Sequence, residues 1–186
     1  MSAEKTAGLL LQSIPYLGQK RILKILTPET GLLTFMAKRN TAAALTTPFA
    51  LAEWVYEKQE REIHPLQDGT ILDDLASLKQ EYACLTAAGR LAQDLLRTQL
   101  PGKAAHEVFA LALACFRKLP LFRQPDVLVA AFRLKLLALE GLVSDLPPAL
   151  GALLHAKSFL GLASFPKEER VCREVDRLFE ELLLLV

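Results

Sequence analysis

The chain has 186 residues, 52% hydrophobic and 23% charged, with 22 Lys and Arg against 21 Asp and Glu for a net charge of +1. That is length for one or two domains with a sizeable core, and it excludes a disordered tail, a globally basic nucleic-acid coat and a strongly acidic mimic. The longest uncharged run, Thr6 to Gln19, is too short for a membrane span and too polar for a secretory leader. Cys84, Cys115 and Cys172 lie far apart and are odd in number, so no disulfide framework is expected and a reducing cytoplasm is the natural setting.

Composition changes near residue 70. Eight of the ten Thr lie in residues 1–70, beside β-branched and aromatic positions such as Ile14, Ile22, Val55 and Tyr56. Residues 71–186 hold 29 of the 40 Leu and 17 of the 25 Ala. Thr and aromatics suit pleated surfaces, while Leu and Ala suit packed helices. A strand domain over residues 1–69 and a helical domain over 70–186 are therefore expected, divided at the turn dipeptide Asp68-Gly69.

The first half reads as short strands between turns. Gly8 to Pro15 is one, and Lys20 to Leu26 alternates around Leu23 and Ile25 before the turn Thr27-Pro28-Glu29-Thr30-Gly31. Leu32 to Lys38 follows at once, so these two strands form a hairpin. Phe49 to Lys58 is expected to be the longest strand, with Phe49, Leu51 and Val55 on one face and Trp54, Tyr56 and Lys58 on the other. Arg61 to Leu66 supplies a fifth. Five short antiparallel strands in so few residues fit a barrel of the OB type, and the whole chain is α+β.

The second half reads as helices. Thr70 to Asp73 looks like a capping box, followed by an apolar stripe through Leu75, Leu78, Tyr82, Leu85, Ala88, Ala92 and Leu95. Pro101-Gly102 ends that helix, and Val108, Ala112, Cys115 and Leu119 line the next, stopped at Pro120. Pro125 suits the first turn of a third, which runs to Gly141. A short segment around Ala149 to His155 follows Pro147-Pro148. Ser164 is a candidate cap for a last helix whose Val171, Val175, Leu178 and Leu182 face inward.

Catalytic signatures are incomplete. Pro101-Gly102-Lys103-Ala104 resembles a fragment of a phosphate loop, but Arg97 stands where the first glycine belongs and Ala104 replaces the magnesium-binding hydroxyl. His106-Glu107 opens like a zinc-protease helix, yet Ala110 occupies the place of the second histidine. Asp73-Asp74 suit a helix dipole better than a metal, and Cys84 and Cys115 lie on apolar stripes as core cysteines. What remains is a binding surface. Lys20, Arg21, Lys24, Lys38 and Arg39 fall on the second and third strands and the loop after them, near Tyr16. Single strands are held by basic grooves with aromatics that stack bases, so Tyr16, Trp54 and Tyr56 could serve there. Equally, the cations could be a solvated face and Trp54 a plug of the barrel. Glu53, Glu57, Glu60 and Glu62 nearby would weaken the field and leave any site salt-sensitive.

Several segments follow one another in a recognisable order. Gly8 to Tyr16 reads as an opening strand with its turn, and Leu26 to Leu33 as the hairpin after it. Ala37-Lys38, Pro48-Phe49 and His64-Pro65-Leu66 mark a loop, a strand entry and a last barrel strand, and Phe132 to Leu146 gives a helix with an Asp-Leu exit. In order and spacing these resemble the RecO family of bacterial recombination mediators over nearly the whole chain. The resemblance implies an amino-terminal OB fold that binds single- and double-stranded DNA, a helical domain, and no enzymatic activity or cofactor. It also implies annealing of complementary strands, binding of the acidic tail of single-strand-binding protein (SSB), pairing with RecR, and help in loading RecA onto coated DNA, all in the cytoplasm.

On that basis Lys20, Arg21, Lys24, Lys38 and Arg39 are expected to neutralise phosphates, with Tyr16 and Trp54 stacking on bases. The SSB tail ends in acids, an aromatic and a carboxylate, so it calls for an apolar slot with a cationic rim. Leu121, Phe122, Arg123, Phe132, Arg133 and Lys135 are the candidates. Three departures stand out. No cysteines follow Asp145-Leu146-Pro147-Pro148 where many members carry a four-cysteine zinc module, so no metal is expected. The loop from Lys38 to Pro48 is short and poor in cations. Ala130 and Ala131 stand where the family has its tail-binding arginine. The alternative is an interaction scaffold of the same fold with little DNA binding.

Overall fold

In a computed structural model, the structure describes residues 3–143, 146–156, 158–163 and 169–184. Five strands, β1 (Ala3–Tyr16), β2 (Lys20–Thr27), β3 (Gly31–Ala37), β4 (Leu51–Glu57) and β5 (Ile63–Asp73), close into a barrel. The order around it is β1-β2-β3-β5-β4, with β3 and β5 parallel and every other pair antiparallel. A one-turn helix, α1 (Ala43–Thr46), lies between β3 and β4. This is the OB-type barrel expected from the strand pattern.

Alternation sets the core. Leu23 and Ile25 of β2, Phe35 and Ala37 of β3, and Trp54 and Tyr56 of β4 point inward. Phe35 stacks on Tyr56 at 4.8 Å between ring centres and tilts against Trp54 at 6.1 Å. Each such pair adds about 0.5–1.5 kcal/mol beyond the area it buries.

Three strands differ in extent from the sequence expectation. β1, with 14 residues, is the longest strand, whereas β4 covers only Leu51–Glu57. β5 does not end at Leu66, and Asp68-Gly69 is not a turn. Gly69 lies mid-strand opposite Trp54, and a Cβ there would stand 2.9 Å from Leu45 Cδ2 of α1. Glycine is needed for close approach rather than for a bend. Thr70 and Ile71 pair with Glu53 and Ala52 of β4, so the apparent capping box is strand.

The helices are α2 (Tyr82–Thr98), α3 (His106–Lys118), α4 (Pro125–Leu139), α5 (Pro148–Leu154), α6 (Phe159–Ala163) and α7 (Glu169–Leu183). The chain forms two compact units, residues 1–76 with 95–110 and residues 77–94 with 111–186. They interleave along the chain, where the sequence reading placed one break after residue 69. In the first unit the connection between α2 and α3 joins the β2–β3 turn. Gly31 and Pro101 form a β-bridge, and the amides of Gly102 and Ala105 donate to Thr30 O and Pro28 O at 2.9 and 2.8 Å.

In the second unit α4 is the buried centre, with 11 of its 15 residues inside, and Pro125 opens it as expected. Cys84 and Cys115 are core residues. Burial pushes the Cys115 thiol up to about 12, with Lys135 opposing it weakly. α7 buries Val171, Val175 and Phe179. Leu178 and Leu182, expected inside, instead line a surface groove. Ser164 and Asp145 lie outside the described residues.

Candidate nucleic-acid interface and helical cavity

The register of β1, β2 and β3 builds a three-row face on the outside of the barrel. Cross-strand partners share a face, so Gln12, Lys24 and Thr34 form one row and Ile14, Ile22 and Met36 the next. Tyr16 pairs with Lys20 in the third row, and Lys38, one residue past the Arg21–Ala37 pair, continues the register beside them. The face thus carries Lys20 and Lys24 about 13 Å apart along β2, with Lys38 and Arg39 exposed at the end where Tyr16 lies. Tyr16 is 48% exposed and Ile14 38%.

The acids expected to weaken this field are partly engaged elsewhere. Glu53 pairs with Lys5 at 3.2 Å on the β1–β4 side, at the opposite end of β1 from Tyr16, and Glu57 accepts from Gln67 at 3.2 Å.

Three of the residues expected at this site face away from it. Trp54 is fully buried, and its Nε1 donates to Gly8 O at 3.0 Å, so it plugs the barrel and offers no stacking surface. Arg21 belongs to the inward parity of Leu23 and Ile25 at the barrel end. Its Nε donates to Ser13 Oγ at 2.7 Å and its Nη2 to Ser13 O at 3.3 Å. Tyr56 also points inward and donates to Glu4 Oε2 at 2.9 Å. Burial first, and that acceptor second, push its hydroxyl up to about 12.

The helical unit holds a separate cavity of about 220 Å³, lined by Leu111, Leu128, Phe132, Lys135, Phe159 and Leu162 among others. Of the six residues expected at a tail pocket, Phe132 and Lys135 line it. Lys135 Nζ donates to Leu154 O at 2.7 Å and Ala156 O at 3.3 Å, placing its charge at the C-terminal end of α5. Phe122 is buried and meets Phe159 edge-on at 6.5 Å, while Leu121 and Arg123 are exposed and line no part of the cavity.

Arg133 does not line the cavity. It is 8% exposed, gives two hydrogen bonds to Asp94 and one to Asp176 at 2.6 Å, and lies 4.8 Å over the Phe179 ring. Burial alone would lower its pKa, but Asp94 and then Asp176 outweigh that and raise it. Phe159 and Leu162, which wall the cavity, carry no periodic signal that could have marked them in the sequence.

The family described as Recombination protein O N terminal matches residues 1–74, which is the barrel through the end of β5. DNA repair protein RecO of Chlamydia pneumoniae is 34% identical over 147 residues, 76% of this chain and 58% of that protein. The chain belongs to the RecO family. Its Chlamydia trachomatis serovar D relative is 27% identical over 139 residues, 72% of this chain and 57% of that protein. The Bacillus velezensis RecO is 25% identical over 166 residues, 87% of this chain and 63% of that protein. This RecO-family chain therefore spans about three fifths of the length of these relatives. Among its described residues no helix is long and apolar enough to cross a membrane, and no three His, Cys, Asp or Glu side chains converge as a metal site.

Proposed function

We propose that this chain acts in DNA repair as a non-enzymatic recombination mediator that holds DNA on the outer face of β1, β2 and β3. The observation that carries the reading is the register that sets Lys20, Lys24 and Lys38 with Tyr16 on one open face of an OB barrel. Strands β2 and β3 of such barrels are the usual oligonucleotide platform. Cations that bind phosphate while the bases stay unread leave those bases free to pair, which is what annealing requires. Both single and double strands fit such a phosphate-led site.

The rest of the mediator role, with RecR as partner and RecA loading as outcome, is proposed from the family resemblance alone. The cavity beside Phe132 and Lys135 supports a second contact, to the tail of SSB. Apolar walls would take the tail's aromatic residue, and the Lys135 charge would favour its acids.

Fluorescence anisotropy of a labelled single-stranded oligonucleotide across a salt series tests the first contact. Replacing Lys20, Lys24 and Lys38 together by Ala should weaken binding and flatten the log–log salt slope by about two units, at roughly 0.7 per lost single-strand contact. An unchanged slope would remove this face from the site. Absence of binding at low salt would favour the scaffold reading, in which the helical unit does the work.

A further inference from the structure

Beyond the basic face, the tip joining β1 to β2 carries a feature that phosphate binding does not use. Leu17 is 76% exposed beside the half-exposed Tyr16, so two adjacent apolar side chains stand in water at the end of the barrel. The backbone there is tightly reversed. Lys20 N–H donates to Leu17 O, and both Gly18 and Gln19 are left-handed, with φ of 65° and 67°. Gln19 holds that conformation without being glycine, and such strain at a tip points to a role other than stability. A Cβ built on Gly18 meets no atom within 4 Å, so the tip stands clear of the fold.

Charge complementarity identifies the occupant. Lys20 follows the tip directly, and Lys38 and Arg39 are exposed at the same end of the sheet. An apolar point with cations along its β2–β3 side suits a polyanion with flat apolar faces between its charges. Side chains such as Leu enter base steps as wedges and unstack them, and an end or junction of a duplex is where unstacking is easiest.

We propose that Leu17, backed by Tyr16, is a wedge that enters the base stack where double-stranded nucleic acid opens into single strand. The proposal rests on the DNA-binding reading of the neighbouring face. Strand held on the face would thereby have its first paired base loosened for exchange.

A forked duplex with 2-aminopurine at its first paired position, bound by the full chain, tests this. Saturating protein should raise the probe's emission at least twofold over free fork. Leu17→Ser should lose half or more of that rise, keep the salt slope, and bind a single-stranded oligonucleotide within twofold of the unaltered protein. Leu17→Phe should restore the rise. Circular dichroism checks that each variant is folded. Binding with a normal salt slope but no rise, or an equal rise with Leu17→Ser, would overturn the wedge alone. The second result would leave the tip to a protein partner. If neither DNA binds, the wedge and the DNA-binding reading fall together.

Discussion

Arg133 donates to Asp94 through two bonds, Nε to Oδ2 at 2.7 Å and Nη2 to Oδ1 at 3.0 Å, both groups nearly closed to solvent. Asp176 links this pair to Arg90, which also reaches Asp126, so α2, α4 and α7 meet in one ionic chain. Removing one member of a buried pair strands the other charge and costs about 3–5 kcal/mol. In Asp94→Ala the bond from Arg133 to Asp176 at 2.6 Å remains, so the loss of unfolding free energy, obtained from the urea midpoint and slope of the helical signal, should fall toward the low end of that range. The double change Asp94→Leu with Arg133→Met should recover much of the loss, because neither member of the buried pair is then left without the other and Asp176 keeps Arg90. A double variant no more stable than Asp94→Ala would show that the ionic geometry itself is required.

Trp54 supplies a second test, since it is the only tryptophan. Buried and bonded to Gly8 O, it should emit at short wavelength and resist acrylamide, and adding single-stranded DNA should leave its emission unchanged. Quenching by DNA would return it to the binding face. Trp54→Phe removes the indole donor from a buried carbonyl and should cost about 1–3 kcal/mol, read in thermal or urea unfolding.

Gly31 governs the join between the barrel hairpin and the α2–α3 connection. Its φ is 65°, and a Cβ would lie 2.4 Å from Leu100 O and 2.5 Å from Lys103 O, both backbone atoms. The left-handed penalty for a side chain is about 1–2 kcal/mol, and displacement of the connection adds to it. Gly31→Ala should lower thermal stability and speed hydrogen exchange at the Gly102 and Ala105 amides, which bond to this turn. Gly102→Ala, at φ 77° but in open space, should show the conformational penalty without the exchange effect.

These cases mark how far the sequence could be read. The barrel was legible because period-two alternation and the Thr27–Gly31 turn are local signals. Alternation put Trp54 and Tyr56 on one face, but which face is inside depends on barrel closure, a non-local property. Gly69 carries the same letter in a turn as in a close approach, and only Leu45, 24 residues earlier, decides between them. Lys20, Lys24 and Lys38 share a face only through cross-strand register, and the same alternation turns Arg21 to the opposite face. Arg133 reads as a surface cation in the sequence because the partner that holds it inside, Asp94, lies 39 residues away on another helix.

His64 gives the barrel an acid-sensitive element. It is 9% exposed, tilted against Tyr56 at 5.4 Å and Phe35 at 6.4 Å, and its Nδ1 accepts the Gln59 N–H at 3.2 Å. Burial lowers its pKa from 6.5; Glu4 opposes that shift, and Lys58 adds to it. The unfolded chain therefore takes up the proton more readily than the folded one. Below pH 6.5 protonation favours unfolding, so the stability His64 contributes is complete above that value and is lost as pH falls through the lowered one. Glu4 adds a second step of the same sign. The Tyr56 and Lys58 hydrogen bonds hold its pKa below 4.5, so its contribution is lost at still lower pH. Urea midpoints from pH 8 downward should fall below about pH 6.5 in the unaltered chain. With His64→Gln that first decline should disappear while the Glu4 step remains. A decline that persists unchanged in His64→Gln would assign it to another group.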